Sequence, residues 1–286
     1  MPKPTKNIED PRLFAANENV AALELKGSVK AKKFVKGDRY QGFKPVSGIY
    51  HQPNGMLTCE LLYGNDFRVL EQVEDWCFGQ VVKDGYVGYT LADNLTPATD
   101  KTHYICTLGT GMYRQGDMKS TFLKWLPHGT RLGIAGTEGR FAKLASNQFV
   151  PVKHLRKIGD WEGDFVSIAE RYLDVPYLWG GNSPLGIDCS GLVSNALTHV
   201  GMESPRDSDQ QFTDLGILLD RSERPRRGDL VFWEGHVGIM VDELEMLHAT
   251  AYHMLVVVES LKAVMSRIEA SKEARFLGLK RFTRLA

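Results

Sequence analysis

Asp188-Cys189-Ser190-Gly191 is followed by apolar residues at Leu192, Val193, Ala196, Leu197 and Val200, and preceded by Tyr177-Leu178-Trp179-Gly180-Gly181. The i, i+1, i+4, i+5, i+8 spacing predicts a helix with one buried face, and Gly201 predicts its end. Asp188 has a side chain that accepts from the first unpaired backbone N–H groups, which makes it the expected N-cap. Cys189 then falls in the first turn, where free N–H groups and the helix dipole favour negative charge. A thiol placed there beside an imidazole is expected to ionise below pH 7, against an ordinary value of about 8.5. Gly180-Gly181 let the chain pass close to a ligand.

Downstream come Gly228-Asp229-Leu230-Val231-Phe232-Trp233, His236-Val237-Gly238-Ile239 and Leu247-His248-Ala249. His236 opens an apolar run to Val241, and His248 sits in a second short run after a turn at Asp242-Glu243, so both are read as strands. Neighbouring antiparallel strands can set two rings side by side. Taken singly, the three residues have plain structural readings, a small buried hydrophobe and two hydrogen-bonded histidines. As an ordered set they point to thiol catalysis. Cys189 is the nucleophile, His236 the base, and His248 the group that holds the base's other nitrogen.

From residue 158 to 286 the chain resembles the NlpC/p60 cysteine peptidases, papain-like enzymes that cut bacterial cell-wall peptides. The Asp-Cys-Ser-Gly, His-Val-Gly-Ile and His-Ala elements carry the resemblance. It implies the roles given above for Cys189, His236 and His248. It also implies an α+β fold whose circularly permuted papain-like core packs the cysteine helix on a small antiparallel sheet.

The chain has 286 residues, zero formal net charge and 43% hydrophobic residues, which fits two or three soluble globular domains. Zero net charge gives no reason to expect nucleic acid or an anionic membrane surface as a partner. Cys59, Cys77, Cys106 and Cys189 form no Cys-x-x-Cys pair, so no metal or other cofactor is expected. Cys59 and Cys77 fall on β-like runs that could be neighbours, but free thiols in a reducing compartment are the expectation. Met1 to Asn7 lead into polar residues with no apolar run, and no uncharged run reaches transmembrane length. A cytoplasmic monomer acting on imported wall fragments is expected. An exported enzyme whose leader lies upstream of the sequence is the alternative.

Before residue 158 the pattern is mainly β. Residues 1–18 read as a loosely structured arm. Over 19–97, short runs at Gly48-Tyr50, Glu60-Gly64, Phe67-Leu70, Trp76-Val81 and Tyr86-Tyr89 alternate with Gly, Asn and Asp turns. Such close spacing suggests a small barrel. The segment is similar to bacterial SH3-like domains in its Leu-Tyr-Gly and Asp84-Gly85-Tyr86-Val87-Gly88-Tyr89 elements. Residues 98–157 repeat the pattern more weakly, at Met112-Tyr113-Arg114, Leu126-Thr130 and Phe149-Val150-Pro151. They are read as a second such barrel, with one irregular β-domain across both segments as the alternative.

Two SH3-like barrels before such a peptidase domain resemble the γ-D-glutamyl-L-diamino-acid endopeptidases of the dipeptidyl-peptidase VI type. This likeness implies hydrolysis of the γ-D-Glu bond to L-Lys or meso-diaminopimelate in murein tripeptides or tetrapeptides with a free N-terminal L-Ala. By the same likeness Asp188 holds the substrate ammonium, and Ser190 and Ser208 bind the D-Glu carboxylate. Trp179 forms a pocket wall, and Tyr86 and Glu60 of the first barrel close the pocket, with Asp66 as the alternative to Glu60. An amidase on the same fold and a muropeptide-binding protein with a degenerate catalytic domain are the competing readings.

Overall fold

The computed structural model describes residues 10–272 and 274–283. Strands dominate. The first unit is a seven-stranded antiparallel sheet in the order Leu57–Leu62, Val46–Tyr50, Val87–Leu91, Trp76–Val81, Asp66–Val73, Asp38–Gly42, Leu95–Pro97. It wraps a core of Ile49, Cys59, Leu61, Phe67, Val81 and Tyr86. All five β runs expected between residues 48 and 89 supply strands of this sheet, although Tyr86 itself lies one residue before its strand.

Residues 1–9 of the expected N-terminal arm lie outside the described residues. Residues 10–22 are packed: Ala15, Val20 and Ala22 form a second apolar cluster with Leu70 and Phe78 on the barrel's outer side. Val20–Ala22 also pairs in parallel with Lys33–Val35. The short apolar run Val20-Ala21-Ala22 is too brief to register as an element, yet all three residues are fully buried.

The second unit has two antiparallel sheets. One has three strands, Arg131–Leu132, His103–Ile105 and Leu155–Lys157; the other has five, led by Phe122–Pro127 and Gly109–Tyr113. Ile105 and Leu132 from the first sheet meet Met112, Leu126, Ala142, Leu144 and Val150 from the second in one core.

The third unit carries a six-stranded antiparallel sheet in the order Ile217–Leu218, Phe276–Arg281, Leu230–Trp233, His236–Met240, Glu245–Thr250, Leu255–Ser260. Its helices are α1 (Phe165–Glu170), α2 (Cys189–His199), α3 (Ser208–Asp214) and α4 (Leu261–Ser271). Period-two alternation sorts the sheet's side chains. Leu230, Phe232, Val237, Ile239, Leu247 and Ala249 face α1 and α2, while Val231, Trp233, Met240 and Met246 face α4.

Helix α2 starts and stops where its sequence requires. The Asp188 carboxylate accepts from Gly191 N–H at 2.7 Å, and Gly201 follows with a left-handed φ of +79°. The expectation of a single buried face needs correction. Every α2 residue except Thr198 is buried, including Ser190, Ser194, Asn195 and His199. The first two units cover the polar face, where Lys83 donates to Ser194 and His128 stacks on His199 with ring centroids 3.9 Å apart, while Asn195 and Ser190 find partners in Asn182 and Arg206 of the catalytic unit.

Candidate active site

Gly180 shows how the first barrel reaches the cysteine. Its φ is +77°, and an added Cβ would stand 3.0 Å from Leu57 Cγ and 3.1 Å from the Thr58 carbonyl carbon. Only glycine fits both the conformation and the close approach. The strand Leu57–Leu62 therefore lies against the loop before α2, and the Glu60 carboxylate accepts from Asn182 N–H at 2.8 Å.

The Cys189 side chain is buried in the core shared by α1, α2 and the sheet. The backbone N–H groups of Val237 and Ser190 donate toward its sulfur, so the residue after His236 touches the thiol. Among the described residues no hydrogen bond joins the sulfur to either imidazole. Burial works against the thiolate expected at neutral pH. Burial pushes the thiol up to about 12, the Asp188 charge adds to the rise, and the N–H groups and Arg206 only partly offset it.

His236 and His248 stand on the α4 side of the sheet. Gly238 lies between His236 and Met240 and opposite His248; a Cβ there would come within 2.1 Å of Met246 and 3.3 Å of His248 Cβ. This gap lets the two rings meet diagonally, with His236 Nε2 and His248 Nδ1 2.8 Å apart. The chain continues past the residues expected from the sequence. His248 Nε2 is 2.9 Å from Glu259 Oε2, and Arg267 of α4 donates to both Glu259 oxygens at 2.7 Å. His253 Nε2 lies 3.2 Å from the same carboxylate.

This chain fixes where each proton sits. Arg267 above all holds the Glu259 carboxyl down to about 2, so it is an acceptor. His248 is kept neutral mainly by burial, donates from Nε2 to Glu259, and offers Nδ1 as an acceptor. His236 must then donate from Nε2, which leaves Nδ1 with its lone pair. Burial, with His248 second, pushes His236 down to about 3. Its Nδ1 has no hydrogen-bond partner among the described residues. The thiol sits at the head of α2 and the base at the start of the strand His236–Met240, whose Val237 N–H donates toward the sulfur.

Asp188 is committed elsewhere than expected. Its two oxygens accept from Arg206 Nη1 and Nη2 at 2.9 and 2.7 Å, from Gly180 N–H at 2.9 Å and from Gly191 N–H. Arg206 is only 2% exposed and also donates to Ser190 Oγ at 3.0 Å. A carboxylate saturated by a buried guanidinium and two N–H groups has no capacity left for a substrate ammonium.

The remaining candidate carboxylates are Glu60 and Asp207. Burial raises both carboxyls above their ordinary values. Glu60 forms no ion pair among the described residues. Asp207 Oδ2 accepts from Tyr86 Oη at 3.2 Å and from Arg12 Nη1 at 2.9 Å, and Arg12 also pairs with Asp10 and Asp209. The Tyr86 phenol is raised by burial and by Asp207. Ser208 opens α3 directly after Asp207. Trp179 stands on the rim, 66% exposed, and Asp66 faces Arg39 and Lys101 instead.

Sequence reasoning missed Arg206, Asp207, Arg12, Glu259 and Arg267. Arg206-Asp207 sit in a polar run that looks like an ordinary loop, and only the fold reveals the guanidinium as buried. Glu259 had a faint signal, a lone carboxylate closing the run Leu255-Val256-Val257-Val258. No group of residues able to hold a metal ion occurs among the described residues.

Residues 174–271 match the NlpC/P60 family, and residues 49–95 match the bacterial dipeptidyl-peptidase SH3 domain. The chain is 31% identical over 222 residues to γ-D-glutamyl-L-lysine dipeptidyl-peptidase of Bacillus subtilis (strain 168), covering 68% of this chain and 73% of that protein. It is 28% identical over 239 residues to dipeptidyl-peptidase 6 of Lysinibacillus sphaericus, covering 72% and 85%. A solved NlpC/P60 family protein from Bacillus cereus ATCC 10987 has the same fold, with a TM-score of 0.73 at 18% identity over 86% of this chain and 100% of that one.

Proposed function

The chain belongs to the NlpC/P60 family of cysteine peptidases, and from that premise we propose that it cleaves the γ-D-Glu–L-Lys or γ-D-Glu–meso-diaminopimelate bond of murein peptides bearing a free N-terminal L-Ala. Hydrolysis of peptidoglycan peptides is the activity of this family branch. The finer specificity rests on one observation. The first barrel brings Glu60 against Asn182 and Tyr86 against Asp207 of the catalytic unit, and the Glu60 carboxylate forms no ion pair among the described residues. A partly buried carboxylate lacking a counter-charge is unfavourable, and a ligand ammonium would supply that charge. The ammonium role expected of Asp188 passes to Glu60 and Asp207. Ser208, next to Asp207, stays in the proposal as a contact for the D-Glu carboxylate.

In the proposed reaction His236 Nδ1 takes the thiol proton as the sulfur attacks the γ-carbonyl carbon. The imidazolium formed at His236 is stabilised through His248 by the Glu259 carboxylate. The N–H groups at the head of α2 face the developing oxyanion. His236 returns the proton to the leaving amine, which leaves an L-Ala-γ-D-Glu thioester on Cys189. A water deprotonated by His236 then releases the dipeptide and restores the thiol. Apo-site hydrogen bonds commonly tighten only in the substrate complex, which fits the open Nδ1 of His236.

Peptides with a free L-Ala amine arise once the stem has been cut from its sugar, so the proposal includes turnover of released wall fragments in the cytoplasm. The test is mass spectrometry of products from L-Ala-γ-D-Glu-L-Lys and its meso-diaminopimelate counterpart. L-Ala-γ-D-Glu and the free diamino acid are expected; cleavage at the L-Ala bond, or at neither bond, would refute the assignment.

A further inference from the structure

A second cleft, of about 300 Å³, opens where all three units meet. Its walls include Asn65 and Lys83 of the first barrel, Arg131 of the second unit, Trp161 of the connecting segment, and Thr198 and Ser204 of the catalytic unit. Thr198 is about 14 Å along α2 from Cys189 by the helical rise, so the cleft lies at the opposite end of the helix from the thiol.

The two cations in this wall form no ion pair among the described residues, although Asp66 lines the same cleft and acts on Arg131, and Asp84 acts on Lys83. Lys83 donates to Ser194 Oγ at 3.2 Å and forms no ion pair among the described residues. The Arg131 guanidinium, lowered from its ordinary value by burial, makes neither a hydrogen bond nor an ion pair among them. Asp66, the carboxylate Arg131 feels, is engaged by Arg39 at 2.8 Å and Lys101 at 3.4 Å. Glu203 on the rim is exposed. Behind the wall, the stacked His128 and His199 rings are held neutral by burial. In the adjoining recess the Asn182 amide oxygen is buried without a partner among the described residues, and half a turn of that amide would present its NH2 group instead. Two partly buried cations facing one cavity, whose lining carboxylate Asp66 is already shared by Arg39 and Lys101, are stabilised by an anion that joins them.

We propose that this cleft binds a small oxyanion, a phosphate or a polycarboxylate, through Lys83 and Arg131. The site is separate from the chemistry at Cys189, so it stands or falls without the proposed peptidase specificity. Because its ligands come from the first two units and its floor from α2, occupancy ties the three units together. Burial pushes the Lys83 ammonium down to about 8. The cation is therefore lost as pH rises through that value, and anion affinity should fall between pH 7 and pH 9.

The test is isothermal titration of the full chain with inorganic phosphate and, separately, with citrate, at an ionic strength held constant with sodium chloride. Saturable one-site binding of at least one of them is expected. It should weaken about tenfold or more in Lys83→Met and in Arg131→Met, and be unchanged in Arg114→Met, which alters an exposed arginine outside the cleft. Phosphate and citrate distinguish a compact inorganic ligand from a larger organic one. Failure of the unaltered protein to bind either, non-saturating heats alone, or unchanged binding by the Lys83→Met/Arg131→Met double variant would each overturn the proposal. The titration of unaltered protein decides the matter even if a variant fails to fold.

Discussion

In the proposed mechanism His236 carries its reactive lone pair on Nδ1 because Glu259, two side chains away, is an anion. Glu259→Gln keeps the size of the group but removes the charge that orders the chain. An amide can donate to His248 Nε2 and so favour the opposite tautomers. We expect kcat to fall by about 10²-fold or more, with the pH profile displaced while KM changes little; stopped-time assays across pH would show it. A Glu259→Gln enzyme with an unaltered kcat and pH profile would remove Glu259 from the chain. Cys189→Ala and His236→Ala should each abolish turnover, since neither group alone can form the thioester and hydrolyse it back to the free thiol. The histidines were legible in the sequence because each opens or centres a short apolar run. Glu259 and Arg267 were not, because register between Met246 and Glu259 sets the meeting, and one chain of letters does not display register.

Helix α2 shows how much of an element its own sequence specifies. The cap at Asp188, the apolar face and the stop at Gly201 are local, and all are present. Burial of the opposite face depends on the two preceding units and has no local signal. The Arg206–Asp188 pair belongs to the same class, since a buried arginine reads as a loop residue until its partner is known. Asp188→Asn would deprive that buried guanidinium of its ion-pair partner. We expect a loss of about 3–5 kcal/mol of stability, seen as an earlier urea transition. Asp207→Asn, at a partly exposed position, should leave the transition nearly in place and raise KM. A Tm near the original for Asp188→Asn together with a raised KM would return the ammonium role to Asp188.

At the scale of the molecule, the catalytic unit and the first barrel could be read from motifs, while the contacts between units could not. The His128–His199 stack at their junction also gives the protein a pH signature. Burial lowers His128, His199, His236 and His248 below the ordinary histidine value. Below about pH 6.5 the unfolded chain takes up protons that the folded chain refuses. Stability should therefore decline as pH falls through that window, by about 1.4 kcal/mol per pH unit for each group held neutral. Denaturant unfolding at pH 7 and pH 5 would reveal it, and equal stability at both would contradict the buried neutral rings. The central claim, though, is that the first barrel makes the groove selective for a free amine through Glu60, Tyr86 and Asp207. It is tested most directly by comparing kcat/KM for L-Ala-γ-D-Glu-L-Lys with that for its N-acetylated form. A drop on the order of 10³-fold or more on acetylation is expected, whereas equal rates on the two peptides would show a groove that does not read the amine.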